Sequence, residues 1–182
     1  MQNDVIMAGF GGQGILLIGK MLAYTGMQEG LEVSCMPSYG PEMRGGTANC
    51  TVVISDRPVG SPVIQSPRAV VAMNLPSLDK FEPMVRKGGL LLINSSLIDR
   101  SSNRDDVRIL MVPANEIAME LKNPRGGNMV ALGAYVGGSH AVPIEAVERV
   151  VRETFSSKPQ VIDANVAALQ RGFELGEQAV AS

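Results

Sequence analysis

The stretch Val5-Ile6-Met7-Ala8-Gly9-Phe10-Gly11-Gly12-Gln13-Gly14-Ile15 constrains this chain more than any other. A short apolar run meets a cluster of glycines, and a long apolar-periodic segment follows at once. That order reads as strand, tight turn and helix. The spacing Gly9, Gly11, Gly14 fits G-x-G-x-x-G, in which glycines let the backbone turn sharply and approach a phosphate. A helix starting here aims unpaired N–H groups and the positive end of its dipole at an anion. The same turn also serves simply to pack a first helix on a sheet, and the motif alone leaves both uses open.

A dinucleotide site needs one thing more, an acidic side chain about 20 residues on, at the end of the second strand. The next strand-like run is Leu31-Glu32-Val33-Ser34-Cys35-Met36-Pro37, and its far end carries no carboxylate; Glu32 stands at the wrong end. The turn is well supported, and a nicotinamide dinucleotide reading is weakened.

Downstream, Thr47 to Ser55 alternates Ala48, Cys50, Val52 and Ile54 with the polar Asn49 and Thr51. This half-polar strand suits a place near a sheet edge or an interface. Ala69 to Met73 and Leu90 to Ile93 are apolar throughout, and Val107 to Val112 adds a further strand. Leu78, Phe81, Met84 and Val85 mark a helix between the first two of these. Apolar strands alternating with helices predict an α/β fold, a single Rossmann-like domain over residues 1–182 with a mostly parallel sheet and helices on both faces.

The last third is helical. Ala114 to Lys122 makes a short helix, and Pro124-Arg125-Gly126-Gly127 punctuates it. Asn128 to Val136 is apolar nearly all round, which places that helix inside the domain or inside a subunit interface. Ile144, Val147, Val151 and Phe155 give a one-sided stripe, as do Val166, Leu169 and Phe173. No internal repeat, low-complexity tract or linker interrupts the chain.

Composition excludes several function classes. A net charge of −2 gives no reason to expect nucleic acid or an anionic membrane as partner. No apolar run reaches the roughly 20 residues that span a bilayer, and Met1-Gln2-Asn3-Asp4 lacks the basic region of a secretory signal. A cytoplasmic protein is expected. Cys35 and Cys50 are the only cysteines and His140 the only histidine. An iron–sulfur cluster takes about four cysteine ligands, and a zinc site about three or four nitrogen or sulfur ligands. No metal site is therefore expected on this chain. Both thiols read as small buried hydrophobes, and His140 as part of a solvated loop.

Pro37 to Gly46 gathers the densest set of reactive groups, with Tyr39, Pro41, Glu42, Arg44 and Gly45 in one stiff loop. Its place after a strand, near the glycine turn, is where open parallel sheets bind ligands. Arg44 suits a phosphate or carboxylate. The bland alternative pairs Glu42 with Arg44 and leaves Gly45-Gly46 to begin the next strand.

Taken together, Gly9 to Ile15, Tyr39 to Gly46, Ser55-Asp56 and Ser61-Pro62 resemble the gamma subunit of 2-oxoacid:ferredoxin oxidoreductases. The resemblance runs from the first strand to the last helix. It implies a 2-oxoglutarate, ketoisovalerate or pyruvate type of enzyme that converts a 2-oxoacid and coenzyme A to acyl-CoA with reduction of ferredoxin. It further implies alpha and beta subunits that hold thiamine diphosphate, a ferredoxin-like delta subunit, and [4Fe-4S] clusters on those partners. On this resemblance Gly11, Gly12, Gln13 and Gly14 are candidates for a coenzyme A phosphate site. Tyr39, Pro41, Glu42, Arg44 and Gly45 become a loop facing the catalytic subunits, and no residue of this chain is catalytic. The corresponding subunit of an indolepyruvate enzyme shares both motifs, and a free-standing nucleotide-binding protein is the alternative of another class.

Overall fold

In the computed structural model, residues 1–39 and 47–181 are described. The strands are β1 (Gln2–Phe10), β2 (Glu32–Tyr39), β3 (Thr47–Ser55), β4 (Ala69–Ala72), β5 (Leu90–Asn94) and β6 (Arg108–Val112). The helices are α1 (Ile15–Gln28), α2 (Leu75–Phe81), α3 (Ala114–Glu120), α4 (Gly127–Ser139), α5 (Ile144–Thr154) and α6 (Ile162–Ala181). The strands lie side by side as β2-β3-β1-β4-β5-β6. From β1 to β6 every pairing is parallel, whereas β3 runs antiparallel to both β1 and β2.

The central strands are apolar because both of their faces are covered. Val5 and Met7 point into one core while Ile6 and Ala8 point into the other, and β4 and β5 divide in the same way. Helices α1, α4 and α5 cover the first face. Helix α2 and the short turn Glu82–Met84 cover the second, where Leu78, Phe81 and Val85 are buried. The α/β architecture with a mostly parallel sheet is as the sequence predicts.

β3 lies near the edge of the sheet, as its half-polar pattern predicts, between β1 and the edge strand β2. Its direction is the departure from a parallel sheet. The reason is the length of the connection. A parallel return needs a crossover of a dozen or more residues, and residues 40–46 are too few, so β3 comes back antiparallel. The half-polar character of β3 has a local cause. Asn49 and Thr51 point to the face opposite Cys50 and Val52, where the neighbouring Met36 and Ser38 of β2 are exposed.

Helix α4 is buried within the domain itself. Twelve of its residues, Gly127 to Gly138, are buried against the sheet and its neighbouring helices. Its closest partner is α6, and glycines set the approach. A Cβ on Gly133 would overlap the carbonyl oxygen of Leu169, and one on Gly172 would overlap that of Val130. Gly137 and Gly176 repeat the arrangement one turn on. The apolar surface of α4 is thus consumed inside the domain and supplies no subunit interface. Among the described residues no helix is long and apolar enough to cross a membrane.

Candidate functional site

The glycine turn links β1 to α1 at the carboxyl end of the sheet. Gly12 and Gly14 have φ of 94° and 72°, a left-handed conformation that glycine adopts without penalty. Gln13 holds the turn together. Its Oε1 accepts from the Phe10 N–H at 2.6 Å, and its Nε2 donates to the carbonyl of Met73 at 3.3 Å. With both ends of the side chain engaged, Gln13 shapes the turn and ties β1 to the end of β4.

The same carbonyl of Met73 accepts from Asn94 Nδ2 at 3.4 Å, and Asn94 Nδ2 also donates to Asn115 Oδ1 at 2.8 Å. Asn94 Oδ1 accepts from the Ala114 N–H at 3.3 Å. Side-chain amides therefore lace the carboxyl ends of β1, β4, β5 and β6 into one rim. Along this rim α1 leaves β1 for one face of the sheet and α2 leaves β4 for the other. The gap between β1 and β4 is thus the switch point at which open α/β sheets bind ligands.

A cleft of about 640 Å³ opens there. Gly12, Gln13 and Gly14 form one wall, and the start of α4, with Gly127 and Asn128, forms another. Two helix N-termini meet in this cleft. In both α1 and α4 the cap residue is a glycine without a side-chain cap bond, and neither has an acidic residue in its first turn. Helices α3, α5 and α6 do carry one, in Glu116, Glu145 and Asp163. The first-turn amides of a helix have no intrahelical acceptor, so α1 and α4 offer free donors and two uncompensated dipole ends to an anion.

Charge on the rim has the same sign. Arg125 and Lys158 line the cleft, are exposed, and have no ion-pair partner among the described residues. Among the described residues no Asp or Glu lines it. The remaining polar groups are neutral amides, of which Asn123 Nδ2 donates to Asn165 Oδ1 at 3.0 Å and Asn128 Nδ2 donates to the carbonyl of Gly14 at 3.4 Å. Such a wall suits an anionic ligand with a neutral polar portion.

Of the residues singled out from sequence, Gly12, Gln13 and Gly14 line the cleft, and Gly11 sits exposed beside it. Tyr39 ends β2 opposite Ala48, and Phe10 pairs with Thr47, so the segment between β2 and β3 starts and finishes at the cleft end of the sheet. Pro41, Glu42, Arg44 and Gly45 lie outside the described residues. The dinucleotide alternative fails on topology as well as on its missing carboxylate. The strand after α1 is separated from β1 by antiparallel β3, so its end does not border the turn. Arg125, Lys158, Asn123 and Asn165 are the site residues that sequence reasoning missed. The one available signal was Gly126-Gly127 ahead of an apolar helix, a second glycine turn before a helix start.

The other candidates for chemistry lie elsewhere. Cys35 and Cys50 are on paired strands with their sulfurs 3.4 Å apart. Burial, and then the bond to Cys35, push the Cys50 thiol up to about 12. His140 caps the far end of α4, about 20 Å along the helix from the cleft, and faces Glu177 at 3.3 Å. Among the described residues no group of three or more His, Cys, Asp or Glu is placed to hold a metal ion.

Comparison with known proteins agrees with this architecture. Ketoisovalerate oxidoreductase subunit VorA of Methanothermobacter marburgensis is 43% identical over 171 residues, which cover 93% of this chain and 36% of that protein. The chain thus spans about a third of the length of this relative. The gamma subunit of a keto/oxoacid ferredoxin oxidoreductase from Geobacter sulfurreducens superposes with a TM-score of 0.85 at 28% identity, covering 98% of each chain. A 2-oxoglutarate:ferredoxin oxidoreductase from Magnetococcus marinus, solved with 2-oxoglutarate, coenzyme A and succinyl-CoA bound, shares the fold with a TM-score of 0.89 at 24% identity; 97% of this chain matches 31% of that one. Residues 4–175 match the family described as pyruvate ferredoxin/flavodoxin oxidoreductase. With nearly its whole length matched, the chain belongs to the pyruvate ferredoxin/flavodoxin oxidoreductase family.

Proposed function

We propose that this chain is the gamma-type unit of a multi-subunit 2-oxoacid:ferredoxin oxidoreductase, and that its cleft holds coenzyme A by the diphosphate. The observation that carries the reading is the meeting of two acid-free helix N-termini, those of α1 and α4, beside Arg125 and Lys158, which have no ion-pair partner among the described residues. Free backbone amides and two cations are the donor set a diphosphate needs. The full-length likeness to a gamma subunit supports the assignment to this unit, and the similar fold within a complex that binds coenzyme A supports the choice of ligand.

Coenzyme A supplies the thiol that accepts the acyl group when a 2-oxoacid is decarboxylated and its electrons pass to ferredoxin. This chain's part is to bind and orient that carrier. Thiamine diphosphate and the iron–sulfur clusters are assigned to partner alpha, beta and delta subunits. The segment from Tyr39 to Thr47, with Glu42 and Arg44, is assigned to the contact with the thiamine-binding partners. Isothermal titration of the chain with coenzyme A, alongside size-exclusion chromatography after co-expression with those partners, tests both halves. Binding of coenzyme A and co-elution are expected, with no turnover of a 2-oxoacid by the isolated chain. A chain that ignores both ligand and partners would refute the reading.

A further inference from the structure

The only two cysteines of the chain lie side by side, and neither lines the cleft. Cys35 is on the edge strand β2 and Cys50 on its neighbour β3, where Cys35 pairs with Val52 and Cys50 with Pro37. Both side chains take the face that packs under α1, and their sulfurs stand 3.4 Å apart. Disulfide sulfurs lie about 2.0 Å apart, so a closing movement of about 1.4 Å brings this pair to bonding distance. The two sides of the gap are held differently. Cys50 is fully buried, and Gly19 of α1 lies so near that a Cβ there would come within 2.6 Å of its sulfur. Cys35 is half-buried on a strand that pairs on one side only, so it is the thiol with room to move and a path from solvent.

One accessible thiol against one buried thiol is the arrangement of an attacking and a resolving cysteine. We propose that Cys35 and Cys50 form a redox site that a small-molecule disulfide oxidises reversibly to a single bond between β2 and β3. The Cys35 thiol loses its proton and attacks one sulfur of the small disulfide, whose S–S bond breaks; the other half takes up a proton and leaves as a thiol. Cys50 then gives up its proton, attacks the Cys35 sulfur and displaces the second half as a thiol. The two protein thiols are oxidised, the small disulfide is reduced to two thiols, and a reducing dithiol reverses the exchange. Burial first, and the bond with Cys35 second, raise the Cys50 pKa to about 12, so the second exchange is the slow one and quickens as pH rises. The bond closes a ring of chain from Cys35 to Cys50 that contains Tyr39 to Thr47, and oxidation thereby ties down both ends of that segment.

The test is incubation of the full, reduced chain with glutathione disulfide, followed by mass spectrometry and a thermal melt. The wild type is expected to lose the mass of two hydrogens while staying a single chain, to take up no iodoacetamide once unfolded, and to recover both thiols with dithiothreitol. Its thermal midpoint is expected to rise by about 5 °C or more, since the closed ring restricts the unfolded chain. Cys50→Ala is expected to hold one glutathione on Cys35, and Cys35→Ser to stay unmodified while folded. In the wild type the mixed disulfide should appear first and resolve faster at pH 9 than at pH 7. A wild type that keeps both thiols, or that holds a glutathione without resolving it, overturns the proposal. So does an oxidised protein that melts no higher than the reduced one, because the native sheet then fails to accommodate the bond. These outcomes are read on the wild type, so the proposal stands or falls whatever the stability of the two variants.

Discussion

Asn128 Nδ2 donates to the carbonyl oxygen of Gly14, 3.4 Å away, and so fastens the first turn of α4 to the cap of α1. This contact holds the two helix starts together across the cleft, and it separates the roles of two neighbouring glycines. A Cβ on Gly14 would overlap the Asn128 amide, whereas one on Gly12 would meet nothing within 4 Å. Both positions have positive φ, so alanine at either carries backbone strain of about 1–2 kcal/mol. Gly14→Ala adds the displacement of Asn128 and is expected to be the more destabilising of the two in urea denaturation. Gly12→Ala is expected to stay folded and to weaken coenzyme A binding by pushing a methyl group into the cleft. Equal losses of stability would mean that the Gly14–Asn128 contact does not support the fold.

Some of this arrangement could be read from the chain and some could not. β1, β4 and β5 were legible because strands covered on both faces are apolar without alternation. The direction of β3 was not read, since alternation reports which face a side chain takes and says nothing of strand polarity. The short Tyr39–Thr47 connection held that information. Helix α4 is apolar all round, which fits burial in a domain or in an interface equally well. Only its glycines, placed against those of α6, decide for the domain. Gly12 and Gly14 were legible as a turn because their backbone angles demand glycine. Asn123, Asn165 and Lys158 come to the cleft from segments far along the chain, and no spacing rule links them to Gly12.

Removal of the rim cations should act on ligand and not on fold. Arg125 and Lys158 are exposed and have no ion-pair partner among the described residues, so Arg125→Gln and Lys158→Gln are expected to leave the thermal midpoint unchanged. Each should raise the dissociation constant for coenzyme A by roughly tenfold at low salt, the usual worth of a charged hydrogen bond. Because salt screens exposed charges, the difference from wild type should shrink as ionic strength rises. A salt-independent loss would point to a changed cleft shape instead of a lost charge.

The α4–α6 contact predicts the opposite behaviour. Gly172→Val would force a branched side chain against the backbone of Val130 and Ala134, which belongs to a fully buried helix. Overpacking against side chains typically costs about 1–3 kcal/mol, and here the obstacle is backbone, so about 3 kcal/mol or more is expected. Gly60→Ala is the control, since a Cβ there meets nothing within 4 Å and φ is not in the left-handed region. Urea denaturation should show a large fall in midpoint for the first and almost none for the second. A well-folded Gly172→Val protein of wild-type stability would show that the helices can part without loss.

The two thiols should report their different burial through their chemistry. Cys50 lies under α1, where Gly19 leaves its sulfur so little room that a Cβ there would come within 2.6 Å of it. Burial first, and the bond with Cys35 second, raise its pKa from 9.0 to about 12. At pH 8 iodoacetamide is therefore expected to label the half-buried Cys35 and to spare Cys50 until the protein unfolds. The same shift has a consequence for stability. The unfolded thiol loses its proton near pH 9 and the folded one only near pH 12, so between these values the native state holds the extra proton. The contribution of Cys50 is complete below pH 9 and is lost as pH rises towards 12. Tyr135, also raised by complete burial, titrates identically in a Cys50→Ala variant and cancels from the comparison. Denaturant titrations between pH 9 and pH 11 should give the wild type the steeper fall, by about one proton, or about 1.4 kcal/mol for each pH unit. Identical slopes for the two proteins would show that Cys50 ionises in the folded state as readily as in the unfolded one.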